Sequence, residues 1–278
     1  MEIITSRQNP QIKAVCALSE KKGRKRAGLF RFDGIKLFSD CLGRADIQCV
    51  FVRVPVSDAV EVRLRTAAEA GYITEDKIIY VSEEVFEKLT DESSPEGIVT
   101  VAGLMEGLHE RVSDMDLSVH SLRGKRILLA ESLRDPGNLG TVMRSCAALG
   151  IDCLILSDDC ADLYNPKTVR GAMGALFRMP TLSVETARLP EYVEKLRADG
   201  RRVYAAALRD DALKIGSFSL CAGDCFVIGN EGHGLSESLI DACTDSAIIP
   251  MREGNESLNA AAAAAVCIWE TVRAEDLA

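Results

Sequence analysis

The sequence lacks the features of a membrane or secreted protein. Its longest apolar stretch, Ala260 to Trp269, is shorter than the ~20 residues that cross a bilayer. The segment from Met1 to Arg7 contains no apolar core of a secretory signal. The ten cysteines form no C-x-x-C pair and have no nearby histidines, which favours free thiols over disulfides or zinc ligands. We therefore expect a cytoplasmic protein without a metal centre.

Two common nucleotide-binding patterns are also absent. The chain contains neither G-x-G-x-x-G nor G-x-x-x-x-G-K-[ST]. The glycine-rich segment at residues 229–234 has the spacing G-x-x-G-x-G instead, and it falls late in the chain. These absences argue against an enzyme that binds a nucleotide in an ordinary doubly wound sheet, although the sequence alone leaves that alternative open.

Positive charge is scarce, with a net charge of −9. This argues mildly against a nucleic-acid partner, because phosphate contacts need lysine and arginine. The charge is unevenly distributed, however, and the first 26 residues carry only two acidic residues against seven basic ones: Arg7, Lys13, Lys21, Lys22, Arg24, Lys25 and Arg26. A basic arm on an acidic protein is compatible with RNA binding, and a solvated helix face is the alternative.

Apolar patterning divides the chain into two α/β domains. Strand-like and helix-like segments alternate from residue 29 to residue 102, and a second alternating set begins at residue 126. Between them, residues 106–124 mix charged residues with isolated leucines. We expect a small α/β domain with a basic arm at 1–105, a linker at 106–124 and a second domain at 125–278. The near-continuous apolar strands of the second domain predict a parallel sheet covered on both faces.

Three polar and glycine-rich segments of the second half each lie where a strand-like run meets a helix-like run. They are NLGTVMR at 138–144, IGNEGHGL at 228–235, and IPM at 249–251 followed by ESLN at 256–259. In open α/β sheets, ligands bind at that junction, outside the carboxyl ends of the strands. The glycines fit a loop that closes around a flat ligand, because they allow backbones to approach closely.

In order and spacing, these segments resemble the signature segments of the SpoU/TrmH family of RNA 2′-O-ribose methyltransferases, part of the SPOUT superfamily. Residues 164–178 are similar to the family's N-P-K…R-x-S-x-G-A segment, although Gly171 and Ala172 stand where a serine is often seen. In the first domain, Phe30, Gly34 and Lys36, with residues 94–98, resemble the ends of the family's L30e-like substrate-binding domain.

The resemblance implies a fold, a cofactor and partners. The fold would be an N-terminal L30e-like α/β domain plus a C-terminal parallel-sheet α/β domain with a trefoil knot. The cofactor would be S-adenosyl-L-methionine, and the protein would form a homodimer through its C-terminal domain. The expected substrate is RNA, with ribosomal RNA preferred over transfer RNA. A non-catalytic RNA-binding protein with a degenerate SPOUT domain is a further alternative.

The resemblance also assigns site residues. The methyl-transfer site would contain Asn138, Arg144, Glu231, Ser257 and Asn259. The cofactor would contact Leu208, Gly229, Glu231, Gly232, Ile249, Met251 and Leu258. Plainer explanations stay open, since Asn138, Ser257 and Asn259 are also typical helix caps and Arg144 is a typical surface ion-pair former. We expect a side chain at Gly229 to crowd the cofactor.

Overall fold

Two sheets organise the chain, and each belongs to its own structural unit. The computed structural model describes residues 2–252 and 257–276. One unit comprises residues 1–105 and 162–177, and the other comprises residues 106–161 and 178–278. The strands, numbered along the chain, are β1 (Ile3–Ile4), β2 (Leu29–Asp33), β3 (Ile47–Arg53), β4 (Ile78–Val81), β5 (Ile98–Gly103), β6 (His109–Arg111), β7 (Ile127–Ala130), β8 (Cys153–Ser157), β9 (Thr181–Val184), β10 (Val203–Ala206), β11 (Leu213–Lys214), β12 (Cys225–Ile228) and β13 (Asp245–Ile248).

Three helices begin at residues with recognisable capping chemistry. Prolines at positions 10, 136 and 166 each follow an Asn or Asp whose side chain accepts a hydrogen bond from the first turn. The α-helices are α1 (Pro10–Cys16), α2 (Lys21–Ala27), α3 (Ile35–Cys41), α4 (Asp58–Glu69), α5 (Glu83–Leu89), α6 (Met115–Ser121), α7 (Pro136–Leu149), α8 (Pro166–Ala172), α9 (Leu189–Ala198), α10 (Glu237–Ala242) and α11 (Ala260–Asp276).

The first unit is a mixed sheet with helices packed against it. Its strand order is β1-β4-β3-β5-β2, in which β5 runs antiparallel to both of its neighbours. Residues 162–177 belong to this unit although they follow α7 and β8 in sequence. The ring of Tyr164 lies 4.7 Å from that of Phe30, and Phe177 lies 5.2 Å from Phe32. This segment therefore covers strand β2 with aromatic side chains.

The second unit contains an eight-stranded sheet of order β11-β13-β10-β12-β7-β8-β9-β6. Every pairing in it is parallel, as the apolar strands predict. Alternate residues of the central strands pack with α6, α9 and α10 in one buried cluster. Helix α11 packs against α7 and β12. The apolar residues of β7, β8 and β12 are buried at every position, so both faces of the sheet are covered.

Residues 106–124 differ from the linker that the sequence predicts. Strand β6 pairs with β9 at the edge of the large sheet. Helix α6 buries Met115, Val119 and Leu122, which face the core at helical spacing, and Asp114 caps it. The domain boundaries also differ from those predicted, because residues 162–177 group with the first unit.

The cysteines carry no disulfide in the structure. All ten are free, and seven of them are buried. Among the described residues, no group of three or more metal-ligating side chains forms a candidate metal site. None of the described helices combines the length and apolarity that a membrane crossing needs.

Candidate functional site

The carboxyl ends of β10, β12 and β13 surround a cavity of about 420 Å³ in the second unit. This volume is in the range of small-molecule sites, about 300–1,000 Å³. Every residue that the resemblance assigns to the cofactor lines it: Leu208, Gly229, Glu231, Gly232, Ile249, Met251 and Leu258. Ser257 lines it too. Residues 253–256, which include Glu256 of the third segment, lie outside the described residues.

One wall of the cavity is the glycine-rich loop after β12. Asn230 and Gly234 exchange two main-chain hydrogen bonds, each 3.0 Å long, which close the loop on itself. The Asn230 side chain accepts from the amides of Gly232 at 2.8 Å and His233 at 3.2 Å. These bonds give the loop a defined shape without any ligand. Sequence reasoning did not single out Asn230, although its place between two glycines was a signal.

Gly229 is required for a different reason from the one expected. A Cβ atom at this position would lie 2.5 Å from the carbonyl carbon of Gly234 and 2.6 Å from the amide nitrogen of Leu235. Contacts under 3.0 Å essentially never occur for real Cβ atoms. A side chain at Gly229 therefore first meets the backbone of its own loop, and crowding of the cofactor stays a prediction.

Asn138 joins the three signature segments. Its Nδ2 donates to Glu231 Oε1 at 2.8 Å, and its Oδ1 accepts from Asn259 Nδ2 at 3.0 Å. The helix cap in this region is Asp135, whose carboxylate accepts from the amide of Asn138 at 2.8 Å. Asn138 is therefore not the N-cap of α7, and helix capping does not explain this residue. Its side chain is free to link residues that lie 93 and 121 positions away.

The third segment combines a capping role with a site role. Asn259 Oδ1 accepts from the amide of Ala261 at 3.0 Å and caps α11, while its Nδ2 reaches Asn138. Capping and participation in the network thus use opposite ends of one carboxamide. Ser257 and Leu258 are exposed at the cavity, and the helix begins only at Ala260. Ser257 is therefore not at the helix terminus where a cap lies.

Arg144 stands apart from this network. It is exposed on α7, and it is not among the described residues that line the cavity. Six residues of α-helix separate it from Asn138 by about 9 Å along the axis and about 120° around it. Within residues 2–252 and 257–276 its guanidinium makes no hydrogen bond or ion pair, so the surface ion-pair explanation does not describe it.

Among the described residues that line the cavity, the charged side chains are two carboxylates and one arginine. Glu231 and Glu237 are exposed at the cavity, and Arg209 donates to Glu237 at 3.0 Å. The apolar lining comes from Ile228, Leu235, Ile240, Ile249 and Leu258, beside main-chain groups of the glycine-rich loop. This combination of apolar side chains and carboxylates suits a ligand with a flat apolar part and a positive charge. Arg209, Glu237 and Ile240 were not foreseen from the sequence.

Matches to known protein families and relatives extend along nearly the whole chain. The model of the SpoU rRNA Methylase family matches residues 125–269, and that of the MRM3-like substrate binding domain matches residues 9–100. The 23S rRNA (guanosine(2553)-2'-O)-methyltransferase RlmP of Bacillus subtilis is 31% identical over 274 residues, which cover 97% of this chain and 98% of that protein.

Two solved structures show the same architecture. The crystal structure of an AdoMet-bound rRNA methyltransferase from Sinorhizobium meliloti superposes with a TM-score of 0.81 at 26% identity, over 98% of this chain and 97% of the other. The SpoU methyltransferase AviRb from Streptomyces viridochromogenes, solved in complex with AdoMet, superposes with a TM-score of 0.77 at 25% identity, over 97% of this chain and 100% of the other.

Proposed function

The chain belongs to the SpoU rRNA Methylase family, and we propose that it transfers the methyl group of S-adenosylmethionine to a ribose 2′-oxygen of ribosomal RNA. The observation that carries the proposal is the hydrogen-bonded chain Glu231–Asn138–Asn259 beside the cavity. It brings the three signature segments into one site. A ribosomal substrate is preferred because the RlmP relative acts on 23S rRNA, and the same relative supports our proposal of a cytoplasmic location.

The residues at the cavity fit this cofactor. Its adenine would pack against the apolar lining, with Ile249 and Leu258 on the sides and main-chain groups of the loop at the edge. Its sulfonium would lie in a site whose exposed charges include Glu231 and Glu237. The negative charge of Glu231 favours the cation over the neutral thioether that remains after transfer. The bound cofactor supplies an activated methyl group with a good leaving group.

The protein's own residues would position the reactants and stabilise the charge that develops on the ribose oxygen. The ribose 2′-oxygen forms a bond to the methyl carbon as the carbon–sulfur bond breaks, and the 2′-hydroxyl proton leaves. Asn138, itself bonded to Asn259, orients Glu231, and at the reacting end these three side chains would hold the reactants in line. Arg144 would donate hydrogen bonds to the developing alkoxide. A guanidinium stays protonated in proteins and is a poor base, so the proton leaves to another acceptor, such as an RNA phosphate.

The proposal extends to a homodimer and a trefoil knot. Arg144 is not among the described residues that line the cavity of its own chain, which favours its action at the site of a second copy. Trp269 of α11 is 53% exposed, and Leu208 and Leu258 are also exposed large apolar residues of this unit. Because α11 packs on the helix that carries Arg144, a dimer that covers these residues would bring Arg144 to the partner's cavity. The family resemblance alone supports the knot.

Calorimetry and a methylation assay test the proposed function. We expect the purified protein to bind S-adenosylmethionine with one site per chain, and to methylate a 2′-oxygen in 23S rRNA transcripts. Methylation of transfer RNA alone would redirect the proposal to that substrate. RNA binding without cofactor binding would support a non-catalytic RNA-binding protein. Absence of both would contradict the proposal.

The basic arm of α2 is expected to bind the RNA backbone. Lys21, Lys22, Lys25 and Arg26 are exposed, and none of them forms an ion pair within the described residues. Replacing these four with glutamine should weaken RNA binding at physiological salt, since the salt slope falls by roughly 0.7–0.9 for every phosphate that the protein no longer neutralises. Filter-binding titrations between low and high salt measure both effects, and cofactor affinity should not change.

Arg24 lies in the same basic segment, but unlike its basic neighbours it is buried. Only 3% exposed, it donates to Asp162 at 2.5 Å and to the main-chain oxygens of Leu18 and Ser19 at 2.8 Å. Arg24 is therefore engaged within the protein and is not available to RNA as its basic neighbours are. Arg24→Gln should lower the stability of the first unit and leave the salt slope unchanged. If the variant with four glutamines binds RNA with the salt slope of the parent, the arm is a solvated helix face. Arg178 of the second unit would then be tested next.

A further inference from the structure

The glycine-rich loop of residues 229–236 is held from outside by two consecutive residues beyond the end of β7. Asn230 Nδ2 donates to the main-chain oxygen of Ser132 at 2.8 Å, where the loop begins. The carboxylate of Glu131 accepts from the amide and from the hydroxyl of Ser236, both at 2.7 Å, where the loop ends. Glu131 is buried, so these bonds are shielded from water. Residues 131 and 132 therefore fix both ends of a loop that lines the cavity.

Ser132 has a main-chain conformation that is unusual for serine. Its φ is +53°, in the left-handed region that residues with a Cβ atom disfavour. Such a residue persists only where its surroundings hold it. Here the amide of Ser132 donates to Ser157 Oγ at 2.7 Å, and its hydroxyl donates to Asp159 Oδ2 at 2.6 Å. Ser157 in turn donates to Asp159 Oδ1 at 2.6 Å.

Asp159 is the centre of this arrangement. It also accepts from Thr186 Oγ1 at 2.9 Å and from Arg134 at 3.2 Å. Burial raises the pKa of Asp159, but the hydrogen bonds that it accepts outweigh burial and lower the pKa to about 2. The carboxylate is therefore ionised at neutral pH, and charge-assisted hydrogen bonds of this kind are about twice as strong as neutral ones.

We propose that Ser132 is a positioning residue for the cofactor loop, and that Asp159 holds Ser132 in the left-handed conformation that this task requires. A return of Ser132 to negative φ redirects its carbonyl and removes the acceptor of the Asn230 side chain. That side chain also accepts from the amides of Gly232 and His233, so its displacement loosens the loop. Ser132 and Asp159 are not among the described residues that line the cavity, so their effect on a ligand has to pass through the loop.

This inference rests on the proposed function only for the identity of the ligand. The shape of the loop is a property of the protein without ligand, because its hydrogen bonds involve protein groups alone. Hydrogen exchange of the loop amides therefore tests the positioning role separately from cofactor binding. The two readouts distinguish a failure of the inference from a failure of the proposed function.

Two substitutions at one position give the test. Ser132→Ala and Ser132→Gly both remove the hydroxyl that binds Asp159, but only glycine adopts positive φ without strain. We expect the amides of Gly232, His233 and Gly234 to exchange about tenfold faster in the alanine variant than in the glycine variant. The dissociation constant for S-adenosylmethionine should rise about tenfold in the alanine variant and stay within about threefold of the parent in the glycine variant. Ser121→Ala, which removes an exposed serine hydroxyl on α6, is the control.

A double-mutant cycle tests whether Ser132 acts on the loop through the Asn230 side chain. If Ser132 acts through Asn230, the effects of Ser132→Ala and Asn230→Ala on loop exchange will not add. Additive effects, or equal exchange in the alanine and glycine variants, would overturn the inference. If exchange follows the expected pattern while the parent protein binds no S-adenosylmethionine, the positioning role stands and the proposed function fails. If the parent binds the cofactor and both variants exchange like it, the proposed function stands and the positioning role is wrong.

Discussion

The Gly229→Ala variant is expected to bind S-adenosylmethionine about tenfold more weakly than the parent, or worse. The added Cβ would lie 2.5 Å from the carbonyl carbon of Gly234 and 2.6 Å from the amide nitrogen of Leu235. Both are main-chain atoms, so relief requires the loop to open, and overpacking of this kind typically costs about 1–3 kcal/mol. Each 1.4 kcal/mol corresponds to about a tenfold change in affinity.

Isothermal calorimetry measures this loss, and thermal unfolding shows whether the second unit remains folded. Gly107→Ala is the matched control in the same unit, because a Cβ there meets no atom within 4 Å and its φ is not positive. We expect the control to bind like the parent. Gly229→Val should be at least as impaired as Gly229→Ala. Parent-like binding by either Gly229 variant would show that the loop does not form the cofactor site.

The second large effect is expected at Arg144. Arg144→Ala should reduce single-turnover methyl transfer to RNA by about 10²–10³, the usual effect of removing one preorganised donor to a developing negative charge. Cofactor affinity should change little, because Arg144 does not line the cavity of its own chain. Arg144→Lys should restore only part of the rate, since a point charge does not replace a planar fork of donors. Arg111→Ala, at an exposed arginine of edge strand β6, is the control.

Mixing two inactive variants tests whether Arg144 acts on the partner's site. A mixed dimer of Arg144→Ala and Gly229→Ala chains contains one site with an intact cavity and an intact Arg144. Random pairing of equal amounts should restore about a quarter of the parent's sites, if the dimer is symmetric. No recovery after subunit exchange, together with a dimer by sedimentation, would place Arg144 at the site of its own chain. A monomer by sedimentation would contradict the proposed dimer, and a parent-like rate of Arg144→Ala would remove Arg144 from the reaction.

The sequence predicted the central strands of the large sheet well because these strands are short and apolar. Parallel strands covered on both faces require this pattern, and β7, β8 and β12 show it. Strand β6 was missed because it lies at the sheet edge, where two of its three side chains are exposed and no alternation marks them. Helix α6 did carry a signal, with Met115, Val119 and Leu122 at helical spacing and Asp114 before them, but the charged residues around it masked the pattern.

By itself the sequence predicted which segments meet beside the cavity, because glycine spacing and polarity are local properties of the chain, and the family resemblance supplied the chemistry expected of them. Only the tertiary structure decided how these residues are used. Asn138 contacts Glu231 and Asn259 across 93 and 121 positions, and such contacts depend on strand order, which spacing does not encode. The same holds for Arg24, whose sequence neighbours are equally basic: burial against Asp162 makes it structural, while the exposed lysines beside it stay available to a partner.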